Sequence, residues 1–118
     1  MEVAGKTIKD VLRTLLQKIN ENIITINELE EFNTKFDVKG KNVEEAIEKF
    51  SAKIIDYFNK KNAVFENLDV KIIPGKKWIF SCYLNGKKFE RIKKNFEDVK
   101  IVRLEESIDG WRLYFSLE

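Results

Sequence analysis

Two acid–lysine pairs stand at matching places in this chain, Asp69-Val70-Lys71 and Asp98-Val99-Lys100. Residues two apart on a strand share a face. Each pair would therefore set a carboxylate beside an ammonium group, as some Mg²⁺-dependent nucleases do. No upstream acid is placed to complete such a site, and Glu97-Asp98 and Glu105-Glu106 read as solvated charge near strand ends. The chain contains no His, which removes the commonest general base and metal ligand, along with any Ser-His or Cys-His pair. It has neither a phosphate loop nor GxGxxG. Its single cysteine, Cys82 within WIFSCYL, cannot form an internal disulfide or a zinc cluster, and reads as a small buried hydrophobe. The expectation is a protein that is not an enzyme, with no cofactor, no metal and no small-molecule substrate.

What remains is the chemistry of contact. The net charge is only +2, but between Val70 and Lys94 the charged residues are Lys71, Lys76, Lys77, Lys87, Lys88, Arg91, Lys93 and Lys94 against Glu90 alone. With Lys100 and Arg112 they form the basic part of the chain, and Tyr83 and Tyr114 are interleaved with them. Cations that neutralise phosphates, beside tyrosine rings that stack on bases, suit single-stranded DNA or RNA. This reading makes those ten cations and two tyrosines a nucleic-acid-binding set. The alternative is a protein-interaction module: an adaptor, an inhibitor of phage or viral type, or a subunit of an assembly. In that case Ile73, Ile79 and Val102 beside the tyrosines form an apolar centre for a protein partner or a homodimer. Lysines also protect sheet edges and keep surfaces soluble without binding anything.

These residues must be held by a scaffold. The apolar residues Ile8, Val11, Leu12, Leu15, Leu16, Ile19 and Ile23 recur at three and four, which predicts an amphipathic helix from Thr7. Ile26, Leu29, Phe32 and Phe36, after cap signals at Thr25 to Asn27, predict a second helix that DVKGK ends. Asn42 followed by Glu45 predicts a third, with Val43, Ala46, Ile47, Phe50, Ile54, Tyr57 and Phe58 inward and Lys60, Lys61 and Asn62 at its end. Three helices and a hairpin have the order of a winged helix-turn-helix, but Glu44, Glu45 and Glu48 would repel phosphates there.

The phrase Asp-Val-Lys-Ile-(Ile/Val), a turn, Trp, five residues and Leu occurs twice, at Asp69–Leu84 and Asp98–Leu117. It predicts two similar β-hairpins. In the first, Pro74-Gly75 forms a type II turn between Leu68–Ile73 and Lys77–Leu84. In the second, a longer loop, EESIDG, joins Asp98–Leu104 to Trp111–Leu117. Alternation points Val70, Ile72, Trp78, Phe80, Cys82 and Leu84 inward, and likewise Val99, Ile101, Trp111, Leu113, Phe115 and Leu117. DVK at Asp37–Lys39 reads as loop. Asn85-Gly86 reads as a two-residue hairpin turn before a strand over Lys87–Ile92, with a short helix as the alternative.

The expected fold is α+β: three N-terminal helices packed on one face of a four- or five-stranded antiparallel sheet built from the two hairpins. A single domain spans 1–118, with a helical half over about 7–62 and the sheet over about 66–118. With 43% hydrophobic residues, nine Phe and two Trp, the chain has enough apolar surface for one core. It has no apolar run long enough to span a bilayer and no leader at its start, so a cytoplasmic protein without a membrane partner is expected.

Overall fold

A computed structural model describes all 118 residues. Two of the three predicted helices form. In α1, Ile8–Asn20, Thr7 caps the N-terminus reciprocally: its Oγ1 accepts from the Asp10 N–H and Asp10 Oδ2 accepts from the Thr7 N–H, both at 3.2 Å. This capping box satisfies two backbone donors that the helix itself leaves free. In α2, Val43–Lys61, Asn42 Oδ1 accepts from the Glu45 N–H at 2.9 Å. The helix ends at Asn62, whose φ of 51° is the left-handed cap conformation that Asn tolerates. Lys60 and Lys61 occupy its last turn, where the helix dipole favours cations.

The helix predicted over Thr25–Phe36 is instead part of a strand, β2, Ile23–Gly40. The three-and-four spacing of Ile26, Leu29, Phe32 and Phe36 competes with a period of two in Phe32, Thr34, Phe36 and Val38, and β-branched residues crowd Ile23–Ile26. The partner strand decides the outcome. Glu28, Glu30 and Glu31 find Phe89, Lys88 and Lys87 opposite them, so a run of like charge that a lone helix would bear unaided is offset across the ladder. DVK at Asp37–Lys39, expected as loop, is the regular end of the same strand, with Val38 buried.

The remaining strands are β1, Glu2–Gly5; β3, Ala63–Ile73; β4, Trp78–Lys94; β5, Val99–Ser107; and β6, Gly110–Leu117. They form two three-stranded antiparallel sheets, ordered β1–β6–β5 and β2–β4–β3. The expected architecture of three helices on one four- or five-stranded sheet is therefore corrected to two helices and two sheets. Each predicted hairpin exists, but β3–β4 and β5–β6 belong to different sheets, because β2 and β1 claim the free edges of β4 and β6.

The turns differ as well. Gly75 does not adopt positive φ, so Pro74-Gly75 is no type II turn, and the connection runs through Pro74–Lys77. EESIDG is mostly strand: β5 continues to Ser107, which pairs with Gly110 across Ile108-Asp109. Gly110 carries the positive φ of 127° that this tight reversal needs. Asn85-Gly86 is not a turn at all but the middle of β4, whose single run covers Lys87–Ile92.

One core of 27 buried residues unites these layers. Helix α1 touches β1, β6 and β3, while α2 touches β2, β3, β4 and β5, so each helix bridges both sheets. Phe50, Phe65, Phe80 and Phe115 are fully buried, and truncating any of them to Ala should cost about 3–5 kcal/mol. The predicted alternation holds in both hairpins. Val70, Phe80, Cys82, Leu84, Val99, Ile101, Leu113 and Phe115 are buried, and Trp78 and Trp111 pack partly buried against the core.

Candidate binding surface

The outer face of the β2–β4–β3 sheet is built from rows that cross all three strands. Their order follows from the register: Asn33–Asn85–Asn67, then Lys35–Tyr83–Asp69, then Asp37–Ser81–Lys71, then Lys39–Ile79–Ile73. Each side chain faces out because its strand neighbours, such as Val38, Leu68, Val70, Phe80 and Leu84, are buried. Tyr83 is 46% exposed and Ile73 41% exposed. The loop Pro74–Lys77 brings Lys76 and Lys77 to the Lys39–Ile79–Ile73 end, where Lys41 also follows β2. Lys35, Lys39, Lys41, Lys71, Lys76 and Lys77 all stand outside the ion pairs of the molecule. Asp37 and Asp69 interrupt them, so the face has mixed sign with a cationic end.

The predicted site residues separate into three groups. Lys71, Lys76, Lys77 and Tyr83 come together on this face. Lys87, Lys88, Arg91, Lys93 and Lys94 lie along the far half of β4, opposite β2. There Lys87 Nζ meets Glu28 Oε1 at 3.0 Å, and the Glu28 hydrogen bond and charge, with Glu66 and Glu31 nearby, hold its ammonium above the usual lysine range. Lys88 Nζ sits 5.2 Å over the Phe32 ring, and Lys94 Nζ pairs with Glu97 at 3.4 Å while donating to the Phe96 carbonyl.

Lys100, Arg112 and Tyr114 belong to the other sheet. Arg112 Nη1 is 3.0 Å from Glu2 Oε2. The Arg103 guanidinium lies 3.9 Å over the Tyr114 ring, and its Nε is 2.8 Å from Glu105. Hydrogen bonds from these arginines to Glu2 and Glu105 raise both guanidinium pKa values. Arg103 and Arg112 are thus paired within that face and Tyr114 already holds a cation, whereas Lys100 is exposed and outside the ion pairs. The sequence reading missed Lys35, Lys39 and Lys41, which a helix and loop over 25–40 would have scattered. The alternation of Asn33, Lys35, Asp37 and Lys39 between Phe32, Thr34, Phe36 and Val38 was the signal that could have found the first two.

No group of His, Cys, Asp and Glu side chains is arranged to hold a metal ion, and no helix is long and apolar enough to cross a membrane. No family model and no curated protein sequence matches the chain. Its fold is similar to that of an archease from Thermotoga maritima, described as a possible chaperone. The superposition covers 100% of this chain and 87% of that one, with a TM-score of 0.69 and 10% sequence identity. At this identity the likeness is one of fold.

Proposed function

We propose that the chain is a non-enzymatic accessory module that docks on a protein partner through the outer face of the β2–β4–β3 sheet. The observation that carries this reading is the make-up of that face. Ile73 and Ile79 are cross-strand neighbours at one end of the face and Tyr83 stands two rows along, with the charged row Asp37–Ser81–Lys71 between them and Lys35 and Asp69 flanking the tyrosine. Aliphatic and tyrosine side chains supply desolvation, while charges of both signs supply register against a complementary surface. A polyanion would gain from the lysines but would meet Asp37 and Asp69 between them. The description of the structural neighbour as a possible chaperone agrees with a role exercised on another protein.

A second reading has an observation of its own. Lys39, Lys41, Lys71, Lys76 and Lys77 gather at one end of the sheet without ion-pair partners, which favours single-stranded nucleic acid there. The two readings separate experimentally. A photo-crosslinking residue at Tyr83 should give one discrete protein adduct in extracts of the source cell, competed by unlabelled protein and lost with Ile73→Asp. Fluorescence anisotropy with single-stranded RNA and DNA should show no saturable binding. Tight binding that falls steeply with salt and weakens in Lys76→Glu/Lys77→Glu, with no protein adduct, overturns the protein reading in favour of the nucleic-acid one.

A further inference from the structure

The two edges of the β2–β4–β3 sheet are finished differently. On β3, α1 reaches over the edge: Arg13 Nε donates to the Leu68 carbonyl at 3.1 Å and Asn20 Nδ2 to the Phe65 carbonyl at 2.7 Å. On β2 nothing does so, and the strand pairs with β4 alone. Its first half is broken as a template. Asn27 has a φ of 53°, and the register shift between Glu28 and Glu30 pushes Leu29 out, 62% exposed. From Glu30 to Gly40 the register is regular, one residue to one, leaving a straight row of backbone groups with no bulge or proline to deter pairing.

We infer that this edge is completed by a second copy of the chain, with β2 pairing antiparallel to its counterpart about a two-fold axis at Asn33. The core faces of both copies must lie on the same side, so outward residues oppose outward residues and the axis must pass through a residue position. With the axis at Asn33, Glu31 of each copy opposes Lys35 of the other, and both side chains are exposed and outside the ion pairs of the chain. Glu30 of each copy opposes Phe36 of the other, and Lys53 Nζ stands 5.9 Å over that ring. Lys35, which guards the edge against indiscriminate partners, becomes an attraction in this register.

An axis at Lys35 sets that residue against itself at the centre, although Glu31 then opposes Lys39. An axis at Thr34 sets Glu31 against Asp37, and one at Phe36 sets Lys35 against Asp37 but brings Lys53, which stands over the Phe36 ring, of both copies to the centre. The axis at Asn33 also extends the amide row Asn33–Asn85–Asn67 into the second copy, giving six asparagines across a continuous six-stranded sheet. Amide ladders of this kind reinforce strand stacking. Ile73, Ile79 and Tyr83 lie on β3 and β4, off the β2 edge, whereas Lys35 belongs both to the docking face and to the paired edge.

Sedimentation equilibrium of the full chain tests the pairing. The wild type should associate reversibly to a dimer. Glu31→Lys, which places a lysine against Lys35 twice per dimer, should weaken association about tenfold or more. Glu31→Lys/Lys35→Glu should restore it, because the swapped charges again oppose each other at this axis. Both positions are solvent-exposed, but Glu31 lies opposite Lys87 on β4, so circular dichroism and urea midpoints verify that the variants keep the fold. A wild type that stays monomeric at the highest attainable concentration overturns the inference. So does a dimer indifferent to Glu31→Lys, or one that the double variant fails to recover.

Discussion

Cys82 shows how far one position can be read from its neighbours. It lies between Phe80 and Leu84 on the inward side of β4, 2% exposed. Burial, with a smaller contribution from the Asp37 carboxylate, pushes its thiol from the ordinary 9.0 up to about 12. The thiolate is the nucleophile, so native protein at pH 8 should show no labelling by iodoacetamide on a timescale that labels the urea-unfolded chain completely. The same shift links stability to alkaline pH. The unfolded thiol loses its proton above 9.0 while the folded one keeps it, so the stabilisation is whole below 9.0 and falls as pH rises toward about 12. Urea midpoints of the wild type should decline through that window more steeply than those of Cys82→Ala. The burial of this residue was legible in WIFSCYL, because alternation there meets no competing period.

At the scale of elements the sequence was a mixed guide, and β4 shows why. Asn85-Gly86 has the chemistry of a hairpin turn, yet the glycine serves another need. Gly86 pairs with Phe32 on one side and Phe65 on the other, and without a side chain it lets those rings approach to 6.1 Å between centroids. A Cβ there would come within 2.0 Å of the Val64 carbonyl oxygen, beside the register shift between Phe65 and Asn67. Gly86→Ala should therefore lower the unfolding free energy by about 1–3 kcal/mol or more, measured by urea denaturation. Gly75→Ala, where only ordinary contact awaits, should be nearly neutral. Helices α1 and α2 were legible because a long period of 3.6 with capping residues admits one solution. For β2 two periods overlapped, and the choice lay with Lys87, Lys88 and Phe89, more than fifty residues away along the chain. Of the candidate surface, Lys71 and Tyr83 were legible from local alternation, and Lys76 and Lys77 from the loop that Pro74-Gly75 marks. Their separation from Arg112 and Tyr114 was not, since sheet membership depends on which distant strand takes each free edge.

For the whole molecule, the bridging of both sheets by both helices should make it open as one cooperative unit. Neither sheet contains its own core. Leu12 and Ile54 are fully buried in the common cluster, so loss of either helix exposes the inner faces of both sheets. Native-state hydrogen exchange should give one opening free energy for amides of Phe80 and Leu84 in one sheet and Leu113 and Phe115 in the other. Leu12→Ala should lower all four together by about 2–5 kcal/mol. A change confined to one sheet would mean that the halves open separately.

The pairing of Glu2–Gly5 with Trp111–Tyr114 has a kinetic consequence. β1 has its only strand partner roughly a hundred residues away along the chain, so docking it closes a long loop, whereas the β2–β4–β3 sheet joins strands closer to one another in sequence. Refolding should therefore register the β1–β6 contact late, and so distant a closure should slow it.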